Sequence, residues 1–427
     1  MNSLPSREDP DVVDVAGIGF GPANLALAIA LHETDGHDLT AAFFERQPEF
    51  GWHRGMLIDD ATMQISFLKD LATMRDPRSE FSFLCYLHDK GRLVDFINHQ
   101  ILMPSRIEFH DYLGWAAAKL DHVVSYGADV LAVHPVEEHG RITHLDVETA
   151  TGTRRARNVV VATGLIPDIP QDVQLSDRVW HSSHFVRHLQ DLPDGPHRFT
   201  VVGAGQSAAE ITNHLLDRFP HGEVNAVFAR RGYSVADDSP FANRIFDPES
   251  VDHFHTAPPD VKKSLLNYHA STNYSVVDLD LTKELYRRHY QELVRGTERL
   301  RLLHTTRIRD IRQSDAVRLQ LEFLPTGEHR ELVSDFVIYA TGYRPNDPRN
   351  LLGDLAGYVK EDDCGKFQVD RNYRLVTTED VRCGIYVQGG ATEHTHGISS
   401  GLLSTTAVRA AEIARALIAD GVCRVRA

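Results

Sequence analysis

Apolar runs that end on glycine recur along the chain and set its organisation. Val12-Val13-Asp14-Val15-Ala16 enters Gly17-Ile18-Gly19-Phe20-Gly21-Pro22 and leaves through an Ala-rich, apolar stretch. That order predicts a strand, a tight turn and a helix over 11–33, then a second strand at 39–45. The glycines of 51–56 mark a loop, while 62–75 holds too little glycine for a linker and breaks amphipathic spacing. Residues 81–98 and 106–120 look helical, the second opening at Ser105 with Glu108 three positions on, a capping box. From 123 to 163 the pattern is β-rich and closes on Val159-Val160-Val161-Ala162-Thr163-Gly164. Phe199-Thr200-Val201-Val202 then enters Gly203-Ala204-Gly205-Gln206-Ser207-Ala208, again strand, turn and helix, with a following strand at 224–231. A long polar, aromatic-bearing insertion fills 233–280. A helix at 281–295, alternating strands at 299–325, a second Ala340-Thr341-Gly342, a strand with glycine turn at 384–390 and a long helix over 402–419 complete the chain.

Each glycine turn has a chemical reading. Glycines let backbone N–H groups approach a pyrophosphate, and the helix N-terminus adds the positive end of its dipole. The first turn departs from G-x-G-x-x-G by Pro22, and the second reads G-x-G-x-x-A. One such match is weak, but two in the same strand–turn–helix setting point to two dinucleotide sites. The strand after the first turn ends in Glu45, somewhat later than the rule of about 20 residues. The strand after the second ends in Arg230-Arg231. A carboxylate suits an unphosphorylated ribose and an arginine a 2′-phosphate, so the first site is expected to take FAD and the second NADPH. The bland alternative for the arginines is a solvated pair at a strand end.

Composition bounds the rest. At 427 residues and about 150 per domain, two or three domains are expected. The net charge of −15 argues against a nucleic-acid partner and gives no polybasic membrane patch. The four cysteines, Cys85, Cys364, Cys383 and Cys423, form no C-x-x-C pair. A local redox disulfide or zinc finger is therefore not expected, and idle thiols in a reducing cytosol are. No metal is expected from His394 and His396, which have no third ligand signature. Residues 1–10 are polar and read as a disordered lead-in without a signal-peptide core, so the expected location is the cytoplasm. The fold expectation is α/β, with two Rossmann-like dinucleotide-binding domains and a small, mostly helical substrate-binding region. The boundaries expected are 11–195 and 326–427 for a discontinuous FAD domain and 196–325 for the NADPH domain, with 233–280 contributing to the substrate site.

More specific stretches join the glycine turns. These are Gly17 to Leu25, Met63-Gln64-Ile65-Ser66-Phe67-Leu68-Lys69-Asp70-Leu71, Ser239-Pro240-Phe241-Ala242-Asn243, Thr272-Asn273-Tyr274-Ser275-Val276-Val277, Ala340-Thr341-Gly342-Tyr343 and His394-Thr395-His396-Gly397. On these the chain resembles the N-hydroxylating flavoprotein monooxygenases, most closely the L-ornithine N-monooxygenases of siderophore and related peptide pathways, from about residue 12 to 419. Pro22 is what that family shows.

The resemblance implies hydroxylation of the ornithine side-chain amine by dioxygen through a C4a-hydroperoxyflavin, with NADPH as reductant. It implies that Lys69 and Asn243 hold the substrate carboxylate. Asn273 would lie between the substrate amine and the nicotinamide ribose, Gln64 at the reactive edge of the flavin, and Ser404 near substrate and flavin. Trp52 and His53 fall in the flavin-flanking loop; Gly17, Gly19, Pro22 and Glu45 fall on FAD, and Gly203, Gly205, Ser207 and Arg230 (or Arg231) on NADPH. A homotetramer is usual in the family. The competing readings are the same chemistry on lysine or on a diamine such as putrescine, another flavin oxidoreductase such as a disulfide reductase, and a non-catalytic FAD/NADPH sensor.

Overall fold

The computed structural model describes residues 12–36 and 38–425, with side chains to 420. The expected lead-in, 1–10, lies outside the described residues. In chain order the first part holds β1 (Val12–Ile18), α1 (Pro22–His32), β2 (Ala41–Glu45), α2 (Phe83–Asp89), α3 (Leu93–His99), α4 (Arg106–Lys119), β3 (Val124–Tyr126), β4 (Val130–Glu138), β5 (Arg141–Thr149), β6 (Gly152–Val161) and β7 (Leu165–Pro167). The middle holds β8 (Val179–His181), α5 (Phe185–Gln190), β9 (Arg198–Val202), α6 (Gln206–Arg218), β10 (Glu223–Val227), α7 (Pro248–Thr256), α8 (Pro259–Tyr268), α9 (Leu279–Arg295), β11 (Leu300–Leu303), β12 (Thr306–Gln313), β13 (Val317–Phe323), β14 (Glu328–Ser334) and β15 (Phe336–Tyr339). The chain closes with β16 (Tyr343–Pro345), α10 (Arg349–Leu352), β17 (Gly384–Val387), α11 (Glu393–His396) and α12 (Thr406–Val425).

The first sheet runs β3-β2-β1-β6-β5-β4, and β17 also pairs with β6. One edge of β6 is shared: its start takes β5 antiparallel and its end takes β17 parallel. Asn158 marks the change, donating to Asp14 O at 3.0 Å and accepting from Gly384 N at 2.9 Å. On one face of this sheet α1 and α12 pack together with the aromatic core of α2–α4. The second sheet, β11-β10-β9-β15-β8, is wholly parallel and carries α6 and α9. A separate antiparallel sheet joins β12, β13 and β14, and β7 pairs with β16 where the chain passes between the two halves.

The two glycine turns use one device. Gly19 has φ +82°, and a Cβ there would stand 2.6 Å from Ala162 O; Gly203 has φ +141°, and its Cβ would stand 2.3 Å from Ala340 O. Each turn is pressed onto the alanine carbonyl of an Ala-Thr-Gly strand end, a contact that only glycine permits. Asn24 then ties the first turn to the last, donating to Gly19 O at 2.7 Å and accepting from Gln388 Nε2 at 2.8 Å.

Several expectations need correction. The helix expected over 81–98 is two helices, because Gly91, at φ +68°, breaks it. The strand expected to reach 231 ends at Val227. β8 pairs with β15, β15 with β9, and β14 with β13, so strands from both sides of the expected 196–325 range pair with strands inside it. The capping box at Ser105 is half formed. Ser105 Oγ accepts from Glu108 N at 3.1 Å, but the Glu108 carboxylate turns to Arg92 at 3.3 Å.

Candidate active site

A cavity of about 1110 Å³ opens at the carboxyl ends of β1, β2, β6 and β17, and the insertion after β10 closes over it. Ligands of open α/β sheets bind at this end. Gly19, Pro22, Glu45, Trp52, His53, Gln64, Lys69, Asn243, Asn273 and Ser404 all line it. Gly17 does not. A Cβ at Gly17 would stand 2.2 Å from the Phe43 ring, so this glycine serves strand packing rather than ligand contact. Gly203, Gly205, Ser207 and Arg230 lie outside this cavity, at the second glycine turn.

The first turn fits a dinucleotide. Gly21 is the N-cap of α1 with no side-chain cap, and Pro22 follows it, so the first N–H groups of α1 are left for a ligand. Glu45 is buried; its Oε2 accepts from Phe20 N at 2.7 Å and its Oε1 from Gln47 N at 2.9 Å. This pins the carboxylate between the turn and the cavity. At the opposite wall Ser400 Oγ is buried without a hydrogen-bond partner, which also fits a large polar group. His53 has a left-handed backbone, φ +49°, and its ring meets Trp52 edge-on at 4.7 Å. The ring is open to the cavity but surrounded by protein; desolvation and the Arg106 charge push its pKa down to about 4, so it is neutral at physiological pH.

The stretch 62–75, unreadable by periodicity, is knotted around Asp70. Its buried carboxylate accepts from Ala72 N (2.9 Å), Thr73 N (2.6 Å), Thr73 Oγ1 (2.8 Å) and Phe83 N (2.7 Å). Burial raises the carboxyl pKa and these four bonds oppose the rise. Sequence reasoning missed Asp70, although an Asp before Ala-Thr is a signal for such a turn. The knot holds Lys69 at the cavity wall, its Nζ 5.9 Å from the centre of the Phe246 ring. Among the described residues the Lys69 ammonium has no acidic partner.

The insertion brings the two asparagines. Asn243 donates through Nδ2 to Asp238 O at 2.8 Å and keeps its second amide hydrogen. Asn273 ends the short turn Ala270–Thr272, and its side chain bonds Tyr274. The Tyr274 hydroxyl donates to Glu393, clamping the insertion onto the turn after β17; burial and that carboxylate push the phenol up. At the second turn Arg230 donates to Ser275 O at 3.0 Å. Arg231 is exposed and has no partner among the described residues. Gln206, also missed, accepts from Asp278 N at 2.8 Å and donates to Glu210 at 3.0 Å, fixing the insertion's end on α6.

The two histidines of α11 engage backbone. His394 Nε2 meets Phe367 O at 2.8 Å and His396 Nε2 meets Arg371 O at 3.3 Å. No group of three or more residues suited to a metal occurs among the described residues. His396 stacks on Tyr373 at 4.0 Å; burial, then His255, pushes its pKa down to about 3. The unfolded chain takes up this proton near 6.5 and the folded chain does not. Stability is therefore full above pH 6.5 and is lost as pH falls toward 3. Between pH 7 and 5 the loss is about 2 kcal/mol. Urea unfolding at pH 7, 6 and 5 should show a shallower decline for His396→Gln; an identical decline would place the proton elsewhere.

The comparisons agree with this geometry. The family model described as L-lysine 6-monooxygenase/L-ornithine 5-monooxygenase matches residues 11–345. An L-ornithine N(5)-monooxygenase of Burkholderia cepacia is 42% identical over 401 residues, 90% of each chain. The solved ornithine N-hydroxylase of Kutzneria sp. 744, with reduced FAD, NADP⁺ and L-ornithine, superposes with a TM-score of 0.91 at 48% identity, covering 95% of this chain and 99% of that one. The L-lysine 6-monooxygenase of Pseudomonas syringae superposes at 0.86 with 34% identity, covering 96% and 99%. With two dinucleotide-type turns, one cavity joining the first of them to Lys69 and the two asparagines, and these matches along nearly its whole length, the chain belongs to the L-lysine 6-monooxygenase/L-ornithine 5-monooxygenase family.

Proposed function

We propose that this protein is an FAD- and NADPH-dependent monooxygenase that hydroxylates the side-chain amine of L-ornithine, giving N-hydroxyornithine for a hydroxamate siderophore or related product. One observation carries the reading: the unpaired Lys69 ammonium, Asn243 and Asn273 face a single cavity that also holds the first glycine turn. When bound, FAD reduced by NADPH supplies the activation of dioxygen. The residues do the positioning. Lys69 and the free amide hydrogen of Asn243 receive the α-carboxylate. A free alkylamine has a pKa near 10.4, yet it must be neutral to act as a nucleophile. Asn273 and Ser404 meet it without a charge that would hold its proton, and Gln64 stands at the reactive edge. Ser207 and Arg230, or the unpartnered Arg231, hold NADPH on α6, which makes the half from β8 to β15 the NADPH domain and the remainder the FAD domain.

A cytoplasmic homotetramer completes the proposal. Cys85 and Cys364 are free thiols, in keeping with a reducing compartment. Tyr286, Tyr290 and Leu293 leave an exposed apolar stripe along α9, in keeping with self-association. No described helix is long and apolar enough to cross a membrane.

Purified protein with FAD, NADPH and oxygen should form hydroxylamine from ornithine well above that from lysine or putrescine. A preference for lysine would move the substrate by one methylene, a difference of about 1–3 kcal/mol in a pocket. A preference for putrescine would remove the carboxylate role of Lys69. Bleaching of the yellow cofactor by NADPH, with oxygen-dependent return, separates the enzyme from a sensor.

A further inference from the structure

The N-terminal end of α12 carries a buried cation that the protein does not neutralise. Arg409, one turn into the helix, is 3% exposed and borders the cavity. Its Nη1 donates to Ser400 O at 2.8 Å and its Nη2 to Thr406 Oγ1 at 3.2 Å, while Nε has no partner. No ion pair to it occurs among the described residues. The charged and titratable groups in the cluster around it are Tyr373, His396, His255, Glu412, Arg371 and Asp252, the last bonded to Arg371. Glu412 is taken by Arg371 at 2.8 and 2.9 Å, and His396 is held neutral by burial. Neither carboxylate is therefore left to pair with Arg409, and the dipole of α12 adds positive potential at this end of the helix. An unpaired buried guanidinium is costly to the fold, so its presence against a ligand cavity calls for an anion from the ligand. The orphaned hydroxyl of Ser400, the residue whose carbonyl takes Arg409 Nη1 and which also lines the cavity, marks the same spot as unfinished.

We infer that Arg409 holds the negative charge that the isoalloxazine ring of FAD acquires on reduction. The inference rests on the FAD reading above. A hydride from NADPH brings two electrons and one proton to the ring and leaves NADP⁺, so the ring gains one negative charge. A guanidinium fixed by Ser400 and Thr406, and shielded from water, meets that charge without reorganising. It raises the affinity for reduced over oxidised cofactor, and with it the midpoint potential. The pyrophosphate of FAD is the other anion within the same ligand, but its charge does not change on reduction, which separates the two roles by experiment.

The test compares wild-type, Arg409→Met and Arg409→Lys holoenzymes by the midpoint potential of bound FAD and the affinity for oxidised FAD. Arg409→Met should lose at least tenfold in the preference for reduced over oxidised FAD, a fall of about 30 mV per tenfold for a two-electron couple. Arg409→Lys should keep most of it. FAD bound by Arg409→Met at an unchanged potential overturns the inference alone, whether or not oxidised FAD binds more weakly; weaker binding would assign the charge to the pyrophosphate. A wild-type chain that binds no FAD overturns both the inference and the reading beneath it. Should Arg409→Met not fold, the wild-type enzyme decides: uptake of one proton per two electrons gives a slope of about 30 mV per pH unit between roughly pH 5 and 8, and about 60 mV per pH unit overturns the anionic ring.

Discussion

Lys69→Ala raises the KM for ornithine by about 30- to 150-fold while NADPH oxidation in the absence of ornithine continues at its wild-type rate. The size follows from the loss of one charge-assisted hydrogen bond to a carboxylate, about 2–3 kcal/mol. The direction follows from the site. The ammonium reaches the cavity with no acidic partner among the described residues, so its removal breaks no ion pair within the protein. The Asp70 knot that carries it is made by backbone and Thr73 groups, so the loop keeps its shape. The carboxylate is remote from the reacting amine, so the contact is equal in ground and transition states, and KM moves more than kcat. Lys69→Met, which keeps a side chain of similar length, should behave in the same way; steady-state kinetics with ornithine and with NADPH alone check both. Equal loss of NADPH oxidation and of product would remove Lys69 from substrate binding.

What could be read from the chain depended on the range of the interaction. The glycine turns were legible because strand, turn and helix are local, and because the second copy repeats the first. Ala-Thr-Gly was visible as a repeat, but what packs against it was not. The partner of Gly19 is Ala162 and that of Gly203 is Ala340, contacts set by strand order. Strand order was likewise out of reach: β8 and β15 are too short to announce which sheet they join, and only the pairing of β8 with β15 and of β15 with β9 decides it. The packing of Gly17 on Phe43 was not legible, because a strand glycine facing a ring and a glycine facing a pyrophosphate look alike in one dimension. Lys69, Asn243, Asn273 and Ser404 were picked out by resemblance, and the fold brings all four to one cavity. Asp70 and Arg409 escaped because a buried charge is identified by its surroundings rather than by its spacing.

Glu210→Ala should be the most destabilising of the single substitutions considered, by about 3–5 kcal/mol. Arg106 begins α4 in the first half and Glu210 lies on α6 in the second, and their side chains are 12% and 5% exposed. The pair is bidentate, Nη1 to Oε2 at 2.9 Å and Nη2 to Oε1 at 2.7 Å, and Arg106 also donates to Met56 O at 2.9 Å. Gln206 adds a bond to Glu210 at 3.0 Å and passes it to Asp278 at the end of the insertion. Truncating the acid leaves the guanidinium buried against carbonyls alone and frees α6 from α4. Since α6 starts at the second glycine turn, the KM for NADPH should rise with the loss of stability. A buried ion pair is itself a weak source of stability, because desolvation offsets most of the attraction. The double variant Arg106→Met/Glu210→Leu should therefore recover most of the unfolding free energy that Glu210→Ala loses. Urea unfolding of the wild type, both single variants and the double variant closes this cycle. If the double variant is as unstable as the sum of the singles, the two side chains do not act as a pair, and the link between the halves must be sought at β7 and β16.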